Sequence, residues 1–267
     1  MKLVFLSPFV EKFHKAMSKK RIAALILILF VFGLCLYFNL PQHIYTIATD
    51  QDRKVPIYYV ETPEKKVAIS FDACWGCEHT PDLLKTLKDY NIKTTFFLTG
   101  YWLEKHPDMV EKINQDGHEI GNHTFTHPHL SSLSEEGIKK EIEKTHQLIK
   151  EISGQNPNLF RPPFGDYNNK VVKAIKDSGY KPVQWSIDSL DWQHTGKDSI
   201  IKRVTDKIHN GAIILFHNNG KYTAQALPEI IEYLKNEGYK IVPISELLYH
   251  QDYYIDPHSG AQKKKTP

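Results

Sequence analysis

At 267 residues, with 41% hydrophobic and 24% charged residues, the chain has material for one large domain or two small ones around a sizeable core. Its net charge of +3 is unevenly spread: Met1 to Arg21 carries six basic residues against one acid, Glu11, a net of +5, which leaves −2 for everything after it. A faintly acidic remainder argues against nucleic-acid binding, and three cysteines, one of them in an apolar run, exclude a disulfide framework.

The first element is the run Ile22 to Leu40, which has no charged residue. As a helix at about 1.5 Å per residue, its 19 residues nearly span the roughly 30 Å hydrocarbon core of a bilayer. Its basic N-terminal flank, residues 1–21, is the cytoplasmic side, and the C-terminal part is exported. A cleaved signal peptide is the rival reading. Bulky Phe38-Asn39-Leu40-Pro41 offers no small-residue cleavage site, so 22–40 reads as a retained transmembrane anchor. Residues 41–64 read as a linker with one short strand at Ile57 to Val60, residues 65–249 as the folded domain, and polar 250–267 as a disordered tail.

From Lys66 on, short apolar runs alternate with amphipathic stretches. Strands are expected at 67–71, 94–98, 119–120, 159–160, 182–187, 212–216 and 240–242. Helices are expected at 81–90, 107–116, 135–153, 169–177, 198–209 and 224–236. Ser134 is placed to cap the longest helix, with Glu135 and Glu136 in its first turn and Ile138, Ile142, Thr145, Leu148 and Ile149 as its stripe. Strands alternating with helices imply parallel pairing with right-handed crossovers. About seven such units suit an α/β fold built as a distorted, incomplete (β/α) barrel.

Asp72, His123, Arg161, Asp188 and His217 each fall at the C-terminal end of an expected strand. In such barrels the site is built at that rim from loops after different strands, so residues distant in sequence meet in one pocket. His123 and His127, four apart, form a pair suited to holding one divalent metal. A lone H-x3-H among 14 histidines is weak; its company strengthens it.

That company is Ser70-Phe71-Asp72, Arg161-Pro162-Pro163-Phe164-Gly165, Asp188-Ser189-Leu190-Asp191-Trp192 and Leu215-Phe216-His217. In this order the set resembles the NodB-homology polysaccharide deacetylases, carbohydrate esterase family 4, over roughly Lys66 to Leu248. The stretches Phe71-Asp72-Ala73-Cys74-Trp75-Gly76, His106-Pro107-Asp108 and Asp116 to His123 look most like the sporulation-associated, peptidoglycan-type branch. The resemblance implies a metal-dependent de-N-acetylase acting on cell-wall polysaccharide. Asp72 would be the base and Arg161 the cation that keeps it ionised. His123 and His127 would hold a divalent metal, zinc first and cobalt or nickel next. The backbone N–H of Phe164 would help bind the oxyanion. His217 would be the acid, oriented by Asp188, with Trp192 and Leu215 lining the acetyl pocket.

One position departs from the family pattern. Where the family has a second, metal-binding acid after Asp72, this chain has Ala73. The following loop offers Cys74, Cys77, Glu78 and His79, and Glu78 matches the missing ligand type, with His79 next. Two other functions stay open: a catalytically weak or inactive glycan-binding protein on the same fold, and an exported thiol-disulfide protein using Cys74 and Cys77.

Overall fold

The computed structural model describes residues 24–31, 34 and 53–265. Residues 24–31 and 34 are helical, and apolar side chains from Leu25 to Val31 are exposed. Among the described residues no helix is long and apolar enough to cross a membrane. The basic segment 1–21 and the rest of 22–40 lie outside them.

From Lys54 on the chain forms a second compact unit, built on a parallel sheet. Strand β1 is Tyr59–Val60 and β2 is Lys66–Ala73; α1 (Thr80–Asp89) leads to β3 (Thr95–Leu98). Helices α2 (Gly100–Lys105) and α3 (Pro107–Gln115) precede β4 (Glu119–Asn122), and α4 (Glu135–Ser153) precedes β5 (Leu159–Phe160). Then come α5 (Asn169–Asp177), β6 (Lys181–Pro182), β7 (Ile187–Asp188), α6 (Lys197–Thr205) and β8 (Ile213–His217). The chain continues through α7 (Thr223–Asn236), β9 (Lys240–Ile241), α8 (Ile244–Leu247), β10 (Tyr253–Ile255) and β11 (Ala261–Lys264). The sheet runs in the order β6-β5-β4-β3-β2-β8-β7, with β9 also on β2 and every pairing parallel. This is the α/β fold with a curled, incomplete barrel that the alternation of elements implies.

Period-two alternation decides which residues face the site. On β2, Val67, Ile69, Phe71 and Ala73 join the large apolar cluster that includes Leu83, Trp102, Ile214, Phe216 and Leu227. Their neighbours Ser70 and Asp72 turn to the inner face, where both meet Arg161. On β8, Ile214 and Phe216 pack outward in the same way, so Leu215 and His217 line the pocket. Because β2 and β8 pair in register, Asp72 lies directly opposite His217 and Ser70 opposite Leu215. On β4, Gly121 leaves room for Phe97: a Cβ there would lie 2.5 Å from the Phe97 ring.

The helix expected at 107–116 forms as α3, and a further helix, α2, precedes it; the chain breaks between them at His106 (φ −132°, ψ 50°), outside the α region that a following proline disfavours. Three expectations are corrected. The strand expected at 182–187 is two strands at opposite ends of the sheet order. Val183 donates to Phe160 O on one side, and Ser186 donates to Ile213 O on the other, so the sheet curls until one short segment serves both edges.

The linker expected at 41–64 ends earlier than 64. Val55, Ile57 and Val60 are buried, and Ile57 bridges to Val183. The tail expected to be disordered carries β10 and β11, which pair antiparallel, with β11 also parallel to β1. Its polar composition conceals specific partners: Gln262 exchanges hydrogen bonds with the backbone of Tyr249, and Lys263 pairs with Glu61 and Asp256. The cap on α4 is as expected, Ser134 Oγ accepting from Gly137 N at 3.1 Å.

Candidate active site

A cavity of about 540 Å³ opens at the C-terminal rim of the sheet. Its walls include Asp72, His123, Asp188, Leu215 and His217 from the strand ends, and His127, Phe164 and Trp192 from the loops. The rim also concentrates unusual backbone: Thr124, His127, Phe164, Leu190 and His194 all have positive φ. Each such residue costs on the order of 1–3 kcal/mol, which the surrounding structure must hold in place.

Asp72 and Arg161 form the centre. Arg161, fully buried, donates from Nη1 to Asp72 Oδ1 at 2.7 Å and from Nη2 to Ser70 Oγ at 2.9 Å and Gln184 O at 3.2 Å. Its guanidinium lies 4.1 Å from the centre of the Phe97 ring. Gln184 O comes from the break between β6 and β7. Burial pushes the Asp72 carboxyl up, but Arg161, His123 and His217 outweigh it and hold the group below its ordinary value. Asp72 is therefore an ionised carboxylate at neutral pH, as a base requires.

His123 follows β4 directly. Its Nδ1 lies 2.7 Å from Arg161 O, and its Nε2 lies 3.4 Å from Asp72 Oδ2. A backbone carbonyl at Nδ1 selects the tautomer with the proton there, which leaves the Nε2 lone pair facing the cavity. His127 closes a tight loop whose backbone is held by Glu141 of α4. One carboxylate oxygen accepts from Phe125 N and Thr126 N at 2.8 and 2.7 Å, the other from Thr126 Oγ1. Burial lowers the basicity of both imidazoles, that of His127 to about 3, so both are neutral and available as ligands. His127 Nδ1 is buried without a hydrogen-bond partner.

The third member of this cluster is Cys74. One donor atom from each of Cys74, His123 and His127 lies within 4.8 Å of the others. Glu78 does not join them. The loop turns at Gly76 (φ +55°), whose carbonyl accepts from Trp102 Nε1 at 2.6 Å and Asn218 Nδ2 at 2.8 Å. That turn folds the Glu78 carboxylate back over Gly76, with its charge acting on His106. His79 occupies the position before α1. Cys74 and Cys77 are free thiols. Burial, reinforced by Asp72, pushes the Cys74 thiol well above its ordinary value, the reverse of what a redox dithiol needs.

His217 is oriented by Asp191, not Asp188. Its Nδ1 is 2.7 Å from Asp191 Oδ1, while Asp191 Oδ2 accepts from His217 N at 2.8 Å and Thr223 Oγ1 at 2.6 Å. Asp188 instead accepts from Leu190 N at 2.8 Å, capping the turn that carries Asp191 inward, and lends His217 only its charge. Burial lowers the His217 pKa, but the bond to Asp191 and the charges of Asp191, Asp72 and Asp188 raise it above its ordinary value overall. The two acids sit three apart in one motif, and the turn between them, left-handed at Leu190 (φ 55°), brings the second to the imidazole. Trp75, Trp185, His194 and Asn219 also line the cavity without having been singled out as site residues; Trp75 is 58% exposed beside it.

The family model for polysaccharide deacetylase matches residues 59–183. The chain is 33% identical over 226 residues to a peptidoglycan-N-acetylglucosamine deacetylase of Bacillus cereus, covering 79% of this chain and 82% of the relative. It is 33% identical over 199 residues to the Bacillus subtilis peptidoglycan-N-acetylmuramic acid deacetylase PdaA, covering 73% and 76%. It spans only 60% of the length of a third relative, the uncharacterized Bacillus subtilis protein YlxY, at 35% identity over 193 residues. Among solved structures, a CE4 family pseudoenzyme from Bacillus anthracis superimposes with a TM-score of 0.70 at 36% identity, covering 72% of this chain and 68% of that one. Fold, rim site and these likenesses agree, and the chain belongs to the polysaccharide deacetylase family of carbohydrate esterases.

Proposed function

We propose that this protein is a metal-dependent de-N-acetylase of cell-wall amino sugars, with peptidoglycan the substrate. The observation that carries the reading is the pairing of two oppositely tuned groups on one cavity. Asp72 is held ionised by Arg161, and His217, on the adjoining strand, is made more basic by Asp191.

The donor set fits a divalent metal: two neutral imidazoles, one with its tautomer fixed by Arg161 O and one with an orphaned buried nitrogen. His123 and His127 would hold it, with zinc first and cobalt or nickel next. When bound, it supplies Lewis acidity toward the amide carbonyl and lowers the pKa of a water. Asp72 accepts the proton of the attacking water. Phe164, on the turn after Arg161, provides its backbone N–H toward the oxyanion. His217, protonated, gives its proton to the leaving amine. Leu215 and Trp192 form the wall against the acetyl methyl, and exposed Trp75 and Trp192 offer flat faces to sugar rings.

The likeness to a pseudoenzyme, together with Ala73 in place of the second acid, favours one other reading: a glycan-binding protein without turnover. Acetate release from peptidoglycan and from chitin oligomers by the full-length protein, with and without chelator, separates the two. Asp72→Asn should lower that release about 10²–10⁴-fold while leaving circular dichroism unchanged. Release that persists in the variant, or no release from either substrate by the metal-loaded protein, sinks the catalytic reading.

We also infer that the domain works outside the cytoplasmic membrane, anchored through 22–40. The basic flank and the exposed apolar side chains of the described helical residues support this. Protease added to intact protoplasts should digest the domain. A protected domain, or one found free in the medium, is the opposing outcome.

A further inference from the structure

We propose that Cys74 provides the third protein ligand, so that the metal centre of this chain is one thiolate and two imidazoles. The proposal rests on the functional reading above and deepens it by naming the ligand that Ala73 cannot supply.

Three observations lead to Cys74. The first is strand parity. Residues 67, 69, 71 and 73 face the apolar cluster, and the Ala73 methyl is fully buried there. Asp72 and Cys74 fall on the other phase, and both line the cavity. The second is distance: the donor atoms of Cys74, His123 and His127 all lie within 4.8 Å of one another, a set that a small shift of side chains closes around one ion. Tetrahedral zinc sites of this kind hold sulfur at about 2.3 Å and nitrogen at about 2.0–2.1 Å, and three protein ligands leave the open position that catalysis needs.

The third is the disposition of the other candidates in the loop. Glu78 folds over Gly76 toward His106, His79 stands at the start of α1, and Cys77 packs against the apolar cluster. Asp72 already holds Arg161 and is needed free as base.

The chemistry balances simply. The thiol releases one proton to solvent as the sulfur–metal bond forms, and the site gains the same single negative charge that a carboxylate brings. Sulfur in place of oxygen changes the selectivity: a thiolate with two imidazoles suits zinc and cobalt and disfavours magnesium and calcium, which take oxygen ligands.

The test uses the full-length protein, stripped with chelator and titrated with cobalt. The wild type should bind one cobalt and show a thiolate-to-cobalt charge-transfer band in the near ultraviolet. Bound zinc should protect Cys74 from iodoacetamide, located by peptide mass spectrometry, and chelation should expose it. Cys74→Ser should lose the band and at least tenfold in cobalt affinity. Cys74→Asp should lose the band but retain affinity within about tenfold of wild type, which shows that the loop still folds. Cys77→Ser should keep the band.

Cobalt that binds to wild type and is lost in His123→Ala, yet gives no thiolate band and leaves Cys74 labelling unchanged, overturns this inference while leaving the two-histidine site intact. The band without any acetate release overturns the deacetylase reading and leaves the thiolate centre standing.

Discussion

The two sides of the cavity are built differently. Asp72 and His217 ride on β2 and β8, adjacent strands whose register places one residue opposite the other. Their supports, Arg161 and Asp191, are fully buried and pinned by several hydrogen bonds each. The imidazole pair and Cys74 depend instead on two loops, residues 123–127 and 74–79, tied by hydrogen bonds. Glu141 holds Phe125 and Thr126 of the first, alongside Asn122 Oδ1 on Thr124 N and the backbone bonds from Gly100 and Tyr101, and the Gly76 carbonyl with its two donors holds the second. The groups proposed for proton transfer are thus fixed by the sheet, and those proposed to hold the metal by loop tethers. Damage to the first should cost stability and rate; damage to the second should cost metal affinity.

The harshest test of that division is Arg161→Ala. It leaves the Asp72 carboxylate buried without its cation, and breaking one partner of such a pair costs about 3–5 kcal/mol. Urea denaturation should show this loss. The double variant Arg161→Ala, Asp72→Asn should recover much of it, because the second change removes the stranded charge. A double variant as unstable as the single would mean that Arg161 acts by packing on Phe97 rather than by charge.

Asp191→Asn comes next. In its proposed role as the acid His217 must be protonated, so the alkaline limb of activity should follow its folded-state pKa. In the wild type that pKa is raised, and the limb should lie on the alkaline side of the ordinary histidine value of about 6.5. Removing the Asp191 charge leaves burial as the dominant influence, so the limb should move to lower pH, with rates above neutrality falling on the order of 10²-fold. The same sign governs stability. A raised pKa means that the pair's contribution is full below about 6.5 and is lost as pH rises through the folded value, a dependence that the variant should flatten. An unmoved limb in Asp191→Asn, with a shifted one in Asp188→Asn, would restore Asp188 as the partner.

How much of this could be read from the chain follows the same division. Strand ends are legible because alternation and β-branched runs mark them, which is why Asp72, His123, Arg161, Leu215 and His217 fall where expected. Loop geometry is not legible. Nothing in Asp188-Ser189-Leu190-Asp191 announces that Leu190 adopts a left-handed turn and delivers the second acid, and nothing in Cys74 to His79 shows that Gly76 turns Glu78 away. Chemical likeness to a missing carboxylate favours Glu78; parity with Asp72 would have favoured Cys74. The tail misleads for a related reason: polar composition suggests disorder, whereas Gln262 and Lys263 are polar because their partners are.

Glu141→Gln is the mildest change and the one that separates tether from chemistry. Glu141 touches neither substrate nor metal donors; it accepts from the amides of Phe125 and Thr126 and from the Thr126 hydroxyl, inside a loop that carries positive φ at Thr124 and His127. Weakening this clamp loosens a strained loop that Gly100 N, Tyr101 N and the Asn122 side chain still hold, and so blurs the shared focus of the two imidazoles. A glutamine keeps one acceptor oxygen and places an amide where the second was, so the charge-assisted pair to the backbone weakens without emptying the space. Outer partners of metal ligands typically account for 10–100-fold in affinity. With one acceptor retained, about tenfold weaker cobalt binding is expected, with turnover at saturating metal nearly unchanged and the apolar core intact. Turnover that falls at saturating metal while affinity holds would show that the histidine loop serves the proton-transfer side of the cavity, and the division between sheet-borne and loop-borne functions would fail at that point.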